Sequence, residues 1–486
     1  MEEYDKLFVG GDLSGIQKFL YNISSRKAAV SLKGRSYYLK QYMENVCNDL
    51  RIALNEVGET KIEVIYCSGG KFYMLTNNSS TVTKCLEGHS KEFKKALWKE
   101  HLGQLGINLS WTPFSENSDG TINANGKTNE KPGYLWRLVN ADFAKQKKQK
   151  FIDILNDSYN SFFEPIPIGG KPKVCAITGI ESQDCVKFTF DNDEEFVLPS
   201  VKQQILLGES LRNHQHFKTF EEYADKTDLG ILRMDVDGLG KRFIEGFNSI
   251  TEYKNFSKRL VEFFEDGIER IQQESSFQPY LNIIYAGGDD LFIVGRWDKV
   301  IDIAERIHKE TLAHFQNDGI SISGGLAIVR PKFPIAKAAE LAGEAEESAK
   351  KFRNGEKNAF HMLGKTISWD KEFDYVKSYK DQFVSLINNY SLSKSILHKI
   401  MLYSSIADMN KSRRAKGIPE DFSYIWHASY YLTRYIERYK TNSIICSFCK
   451  SLKDKELLAN NGRNLELIAL AARWAELLIK DNIINK

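Results

Sequence analysis

One short pattern occurs twice in this chain, and the repetition constrains the fold more than any other feature of the sequence. In each copy an acidic turn follows a short apolar strand, and a glycine pair lies later between two further apolar strands. The copies read Gly11-Asp-Leu-Ser-Gly15 with Ser68-Gly-Gly-Lys71, and Met234-Asp-Val-Asp-Gly238 with Ala286-Gly-Gly-Asp-Asp290. From the aspartate to the first glycine the spacing is 57 residues in one copy and 52 in the other. This predicts an internal duplication of a β-α-β-β unit.

Superposing the copies places Asp12 on Asp235 and Gly69-Gly70 on Gly287-Gly288, so that Lys71-Phe72 falls on Asp289-Asp290. The second copy continues with elements that would complete a ferredoxin-like βαββαβ domain. The predicted strands are 7–9, 62–67, 72–75, 229–234, 281–285, 291–294 and 320–329, and the longer predicted helices are 39–57, 241–274, 299–316 and 334–353.

The rest of the chain divides by composition and periodicity. Residues 115–132, rich in Ser, Asn, Gly and Thr, predict an exposed loop, and 166–225 predict a compact insert. After about residue 366 the pattern becomes wholly helical, and its apolar stripes predict a four-helix bundle. Its predicted helices are 372–390, 394–409, 421–440 and 463–481.

The composition is that of a soluble globular protein. With 42% hydrophobic and 27% charged residues, the chain of 486 residues is typical of a soluble globular protein, and we expect it in the cytoplasm. The net charge of +3 gives no global nucleic-acid signature, and the basic runs at 145–150 and 411–416 are typical of solvated faces. Cys175 and Cys185 lack zinc-ribbon spacing, and Cys446-Ser-Phe-Cys449 has no evident partner pair, so zinc is not expected.

The second acidic cluster predicts divalent-metal chemistry on a nucleoside triphosphate. Asp235 ends one strand and Asp289-Asp290 begin a neighbouring one, so three carboxylates can converge at one sheet edge as metal ligands and catalytic residues. Asp237 and the carbonyl of Val236 are candidate further ligands for Mg²⁺ or Mn²⁺. Gly287 and Gly288 leave room for ATP against the backbone. A plain hairpin turn is the competing interpretation, and the register of the second copy argues against it.

Two other sets of residues are candidates for binding the nucleotide. Lys350, near the end of the helix 334–353, could hold phosphates or could simply be a cation at a helix C-terminus. In the first copy, Ser68, Gly69, Gly70 and Lys71, with Asp12, could bind a second nucleotide, although two of the metal carboxylates are absent. A purely structural pseudo-domain is the alternative for this copy.

In combination these motifs make the chain resemble the large palm-domain subunit of type III CRISPR effector complexes, most closely the Csm type. The motifs are Gly11-Asp-Leu-Ser-Gly-Ile-Gln17, Leu32-Lys-Gly-Arg-Ser36, Ser68-Gly-Gly-Lys-Phe72, Met234-Asp-Val-Asp-Gly-Leu-Gly240, Tyr285-Ala-Gly-Gly-Asp-Asp-Leu-Phe292 and the ending Gly-Glu-Lys-Asn358.

The resemblance implies an α+β fold with two GGDEF-like palms, a zinc-finger-like insert and a helical bundle. The expected domains are 1–110 (degenerate first palm), 111–165 (linker and helix), 166–225 (insert, cysteine-depleted), 226–366 (catalytic palm) and 367–486 (bundle). The implied activity is an RNA-activated nucleotidyltransferase that makes cyclic oligoadenylates from ATP. The implied partners are the small subunit, the guide-tag-binding repeat protein, guide RNA and target RNA, with no membrane.

The chain departs from the family pattern at its start. The first predicted palm strand begins at Leu7 and none of the nine histidines is followed by Asp, so we expect no HD nuclease and no DNase activity. Three alternatives remain open. The same site could transfer AMP to S-adenosylmethionine, the subunit could be an idle scaffold on guide RNA, or residues 226–365 could act as a free-standing diguanylate cyclase, which would leave the duplicate unexplained.

Overall fold

A computed structural model describes residues 4–24, 26–162, 173–190, 193–456 and 459–481. The chain forms two compact units. The first comprises residues 1–322 and 328–343, and the second comprises residues 323–327 and 344–486. No helix among the described residues is long and apolar enough to cross a membrane.

The first part of the first unit is an antiparallel sheet with helices. Its strands are β1 (Lys6–Ser14), β2 (Glu63–Ser68), β3 (Lys71–Asn77), β4 (Gly106–Glu116), β5 (Ile122–Ala124) and β6 (Lys127–Glu130). Its helices are α1 (Ile16–Tyr21), α2 (Ala28–Glu56), α3 (Ser80–His101), α4 (Gly133–Lys148) and α5 (Ile152–Phe162). The strand order β2-β3-β1-β4-β5-β6 puts β1 in the middle of the sheet, with an apolar core between the sheet and α2.

Two sequence predictions for this region need correction. Helix α2 begins at Ala28 rather than Leu39, because its first turns are also buried. The stretch predicted as a loop, 115–132, contains the hairpin β5–β6, which extends the sheet beyond β4. Its tight turn uses Asn125 and Gly126 at positive φ, a local signal for a hairpin that the polar composition concealed.

The insert contains two short hairpins followed by helices. Its elements are β7 (Lys173–Val174), β8 (Glu181–Ser182), β9 (Val186–Phe190), β10 (Asp193–Val197), α6 (Pro199–Gln215) and α7 (Phe220–Ala224). Helices α2 and α6 pack closely because Gly34 and Gly208 each face backbone of the other helix, where a Cβ would come within 2.1 Å of a carbonyl oxygen. Residues 166–172, the start of the predicted insert, lie outside the described residues.

The second copy of the repeat has the predicted order of elements. It comprises β11 (Leu229–Val236), α8 (Leu239–Glu245), α9 (Ile250–Glu262), α10 (Ile268–Gln272), β12 (Leu281–Gly287), β13 (Asp290–Arg296), α11 (Trp297–His314), β14 (Ile322–Val329) and α12 (Ile335–Lys350). In the first unit β13 pairs with both β11 and β12.

The single helix predicted over 241–274 is wrong. The first helix ends at Glu245 and the next begins at Ile250, where the Ser249 hydroxyl accepts a hydrogen bond from the backbone N–H of Glu252. A wider π-helical turn, Phe263–Gly267, then separates α9 from α10. Apolar spacing persists through both interruptions, which is why periodicity alone did not reveal them.

In the second unit, β14 pairs in parallel with β15 (Ala359–Met362), which pairs with β16 (Lys365–Ser368). The helices that follow are α13 (Asp374–Tyr390), α14 (Ser395–Ala415), α15 (Ser423–Arg438), α16 (Ser443–Ser451) and α17 (Arg463–Lys480). Four match the predicted bundle, and α16 is an additional helix that carries the Cys446–Cys449 pair.

The basic group at 411–416 is partly neutralised, since Lys411 pairs with Glu466 and Arg414 pairs with Glu420. The α+β class is thereby confirmed.

Candidate functional site

Three aspartates converge where β11 and β13 meet. Asp235 lies opposite Asp290 in the antiparallel register, and Asp289 precedes Asp290 in the turn. One carboxylate oxygen from each of the three residues lies within 4.8 Å of the others, and all three side chains are half-buried. Hard oxygen ligands at this spacing, partly open to solvent, fit a Mg²⁺ or Mn²⁺ ion that also binds phosphate oxygens. Among the described residues, this is the group of acidic, His and Cys side chains able to hold a metal.

The predicted further ligands have other contacts. The Asp237 carboxylate accepts a hydrogen bond from the Ser321 hydroxyl at 2.7 Å, and the Asp237 N–H donates to the Ser321 carbonyl at 2.9 Å. The Val236 N–H donates to the Asp289 carbonyl at 3.2 Å, which fixes the turn beside the cluster. Metal ligation by Asp237 and by the Val236 carbonyl stays a prediction. Lys350 lies in the second unit, where it pairs with Glu346 at 2.7 Å, and its phosphate-binding role also stays a prediction.

The glycine hairpins of the two copies lie against each other. A Cβ built on Gly288 would lie 3.2 Å from the Gly69 Cα and 2.9 Å from the Tyr66 hydroxyl. Both glycines have positive φ, 60° for Gly69 and 69° for Gly288, so their backbone conformations also favour glycine. The Gly288 N–H donates to the Ser68 hydroxyl at 3.2 Å across this contact. The contact places the two candidate nucleotide sites side by side.

An acidic side chain supports the contact from the second copy. Glu265, in the π-helical turn, accepts a hydrogen bond from the Ser68 hydroxyl at 2.9 Å and forms an ion pair with Lys40 at 2.5 Å. Ser68 therefore both donates to Glu265 and accepts from Gly288, which fixes its hydroxyl between the copies. Wider helical turns of this kind often occur at functional sites.

The strand registers correct the predicted superposition by one residue. Asp12 lies opposite Lys71, as Asp235 lies opposite Asp290. Ser68 pairs with Lys71 as Gly287 pairs with Asp290, and both copies carry a bulge at the same place in their second strand. Ser68-Gly69-Gly70-Lys71 therefore corresponds to Gly287-Gly288-Asp289-Asp290. Identical glycine pairs suggested the wrong alignment, and a slip of one residue would turn every side chain to the opposite face of the sheet.

Under the corrected alignment two tyrosines are equivalent, the buried Tyr66 and the half-buried Tyr285. Tyr66 and Tyr285 precede Ser68 and Gly287 by two residues each, and the Tyr285 hydroxyl donates to the Gly287 carbonyl at 3.2 Å. Burial raises the pKa of both phenols, and the Asp289 carboxylate raises that of Tyr66 further. Both therefore remain neutral hydrogen-bond donors at physiological pH. Sequence reasoning missed them, although a tyrosine at the same place in both copies was the available signal.

A cavity of about 440 Å³ opens beside both hairpins. It is lined by α2 and α10, by the end of α6 and by both glycine turns, including Ser68–Gly70 and Tyr285–Gly287. Lys33 of α2 donates to the Ile283 carbonyl at 2.6 Å, and burial lowers its pKa to about 8 although Glu269 opposes the shift. The cavity thus combines backbone at the two turns with Lys33 and Lys40 of α2, and the carboxylates of Glu265, Asp266 and Glu269 also line it.

In the first copy, Asp12 is buried and pairs with Lys147 of α4 at 2.7 Å. Lys71, opposite Asp12, is exposed. Sequence reasoning noticed Lys147 only as part of a basic run.

Of the cysteine pairs, the Cys446 thiol donates to the Tyr439 carbonyl at 3.2 Å, and burial raises the pKa of Cys185. The absence of zinc stays a prediction.

Two family models match the chain, the Csm1 subunit domain B over residues 6–165 and the second palm domain of Cas10/Cmr2 over residues 228–361. The relative from Enterococcus italicus, a CRISPR system single-strand-specific deoxyribonuclease Cas10/Csm1 of subtype III-A, is 27% identical over 81% of this chain and 59% of its own length. The Streptococcus thermophilus protein of the same description is 24% identical over 89% of this chain and 62% of its own length.

Solved structures of a Csm1-Csm4 cassette share the fold. The cassette in complex with cA4 matches with a TM-score of 0.67 at 17% identity, over 98% of this chain and 70% of the solved one. The cassette with one ATP matches with a TM-score of 0.65 at 19% identity, over 97% and 70%. The chain spans about three fifths of the length of the curated relatives. The resemblance predicted from the motifs, to the Cas10/Csm1 subunit of type III-A CRISPR–Cas systems, is confirmed by both family models, by these relatives and by the fold of the Csm1-Csm4 cassettes.

Proposed function

We propose that this chain is the cytoplasmic, RNA-activated nucleotidyltransferase subunit of a type III CRISPR antiviral complex, which joins ATP molecules into a cyclic oligoadenylate. The observation that carries the proposal is the convergence of Asp235, Asp289 and Asp290 beside the contact between the two glycine hairpins. One nucleotide at each hairpin would bring a ribose hydroxyl and an α-phosphate together. The cassette relatives solved with ATP, pppApA and cA4 support this class of substrate and product.

In the proposed reaction, a ribose hydroxyl attacks the α-phosphate in line, a new phosphorus–oxygen bond forms, and the bond to pyrophosphate breaks. Divalent ions, when bound, would stabilise the attacking oxygen, the phosphate charge and the leaving pyrophosphate. Asp235, Asp289 and Asp290 would hold those ions. Gly287 and Gly288 leave the backbone open to the triphosphate, and Ser68 keeps the acceptor hairpin against Gly288.

The acceptor would lie beside the Ser68–Gly70 turn of the first copy. The proposed partners are the small subunit, the guide-tag-binding repeat protein, guide RNA and target RNA. The Csm1-Csm4 cassettes among the relatives support assembly with other Csm subunits. Binding of target RNA would align the hairpins, because transfer rates fall steeply with small misplacement of the reacting groups.

The test replaces two carboxylates, as Asp289→Ala with Asp290→Ala. Product should be lost by at least about 100-fold while the fold is kept, because the metal ligands are removed without a change in the core. The measurement incubates the assembled complex with labelled ATP, Mn²⁺ and target RNA, with and without S-adenosylmethionine, and identifies products by mass spectrometry.

The matched control removes two exposed carboxylates elsewhere, as Asp184→Ala with Glu194→Ala, and should keep activity. Undiminished oligoadenylate from the Asp289/Asp290 variant would refute the assignment. An adduct that forms only with S-adenosylmethionine would show that S-adenosylmethionine, and not ATP, is the acceptor. The absence of any product from the wild type would favour a scaffold role.

A further inference from the structure

The degenerate first copy keeps one carboxylate of the acidic site and surrounds it with lysines. Asp12 corresponds to Asp235, and Lys71 takes the place of Asp290 directly across the strand pair. Side chains directly opposite in an antiparallel pair project from the same face of the sheet. The third carboxylate position, that of Asp289, is occupied by Gly70. The cluster in the first copy is therefore basic where that in the second copy is acidic.

Helix α4 brings a second ammonium group to the same place. Val139 and Phe143 lie over Gly10, where a Cβ would come within 2.7 Å of the Val139 side chain and 3.0 Å of the Phe143 ring. Lys147 follows Phe143 by one helical turn, and Asp12 follows Gly10 by two residues on the same face of β1. The Lys147 ammonium accordingly lies 2.7 Å from an Asp12 carboxylate that is 3% exposed, while 44% of the lysine side chain remains open to solvent.

The cluster in the first copy can attract a phosphate chain by its charge. Asp12 with Lys71 and Lys147 carries a single net positive charge. An ammonium group can act as a point charge for phosphate oxygens without a metal. In chain order α4 also corresponds to α12. Lys147 and Lys350 lie at nearly the same position in these helices, since their distances from the helix start differ by one residue.

We propose that the first copy binds the triphosphate of the acceptor ATP through Lys147 and Lys71 in place of metal ions. This inference rests on the proposed function and specifies its acceptor site. It also distinguishes between the two candidate acceptors, since a basic cluster attracts a triphosphate and repels the sulfonium of S-adenosylmethionine.

The test measures binding of radiolabelled ATP to the full chain in excess EDTA, which removes the metal-dependent site. The wild type should retain one class of ATP site, and Lys147→Ala should weaken it by about 10-fold or more. Lys147→Arg should retain binding. Lys145→Ala is the matched control, because it removes the same charge from an exposed position two residues away, and it should leave binding unchanged.

A structural role for Lys147, limited to neutralising the buried Asp12, needs a separate readout. Asp12→Asn with Lys147→Gln removes both charges together, so a structural role predicts restored ATP binding and the proposal predicts that binding stays weak. Loss of all ATP binding in EDTA, unchanged binding by Lys147→Ala, or restoration in the double variant would each overturn the inference. None of these results depends on product formation, so failure here is distinguishable from failure of the Asp289/Asp290 test.

Discussion

At the scale of single residues, the contact between the hairpins depends on two glycines, which have no side chain. Gly288 and Gly69 approach within van der Waals distance because neither has a side chain, and Ser68 and Tyr66 fill the remaining space. The glycine pairs were recognisable in the sequence as turns. Their role in facing each other across the two copies required the tertiary structure, because the residues in contact are more than 200 positions apart.

Gly288→Ala should reduce product formation by on the order of 10-fold or more, because the added methyl would push the hairpins apart and misplace the reacting groups. The measurement compares initial rates in the assembled complex with thermal unfolding. Gly126→Ala is the control, since Gly126 has a similar φ of 73° but nothing within 4 Å of its Cβ position. Equal rates for the two variants would contradict the importance of the close approach.

At the scale of secondary-structure elements, helix α2 connects the two copies. Lys33 and Lys40 lie two turns apart on one face of α2, where Lys33 donates to the Ile283 carbonyl of β12 and Lys40 pairs with Glu265 of the π-helical turn. Periodicity predicted a helix here but began it at Leu39, which left Lys33 outside it. The residues that make this connection could not be chosen from the sequence because their partners are a strand carbonyl and a distant turn.

The lowered pKa of Lys33 predicts a pH dependence of stability. Its pKa of about 8 lies below the ordinary value of 10.5, so the unfolded chain binds more protons than the folded chain between these values. The stability of the wild type relative to Lys33→Met should therefore rise as the pH increases from about 8 to 10.5, by up to about 3 kcal/mol. Urea unfolding of both proteins across this range measures the difference. A difference independent of pH would contradict the burial of a charged Lys33.

At the scale of the whole first unit, the two copies are joined by packing that sequence repeats alone do not reveal. Helix α4 of the first copy stacks Trp136 on Tyr253 of α9, with ring centroids 3.9 Å apart and planes 9° from parallel. Gly133, at the start of α4, faces the Ile244 carbonyl of α8, where a Cβ would lie only 2.0 Å away. The break between α8 and α9, which the sequence did not reveal, is what brings both contacts to α4.

Gly133→Ala should therefore destabilise the first unit by about 1–3 kcal/mol, because the methyl group overpacks a backbone contact. Hydrogen exchange should show increased opening in both copies, while the second unit should keep its protection. Gly88→Ala provides the comparison, as Gly88 of α3 has nothing within 4 Å of its Cβ position and lies outside this contact. Unchanged exchange in the second copy would mean that the α4 contact does not hold the copies together.

Local pattern alone predicted the duplication, the α+β class, the three convergent aspartates and the helical nature of the last part, because these depend on local periodicity and on carboxylates at strand ends. It did not determine the register of the first hairpin, since identical glycine pairs align plausibly in two ways and only strand pairing distinguishes them. It also left open the partner of Asp12, the role of Glu265 and the break after α8. Those features arise from contacts between distant segments, where packing and hydrogen bonding rather than local pattern decide which residues meet.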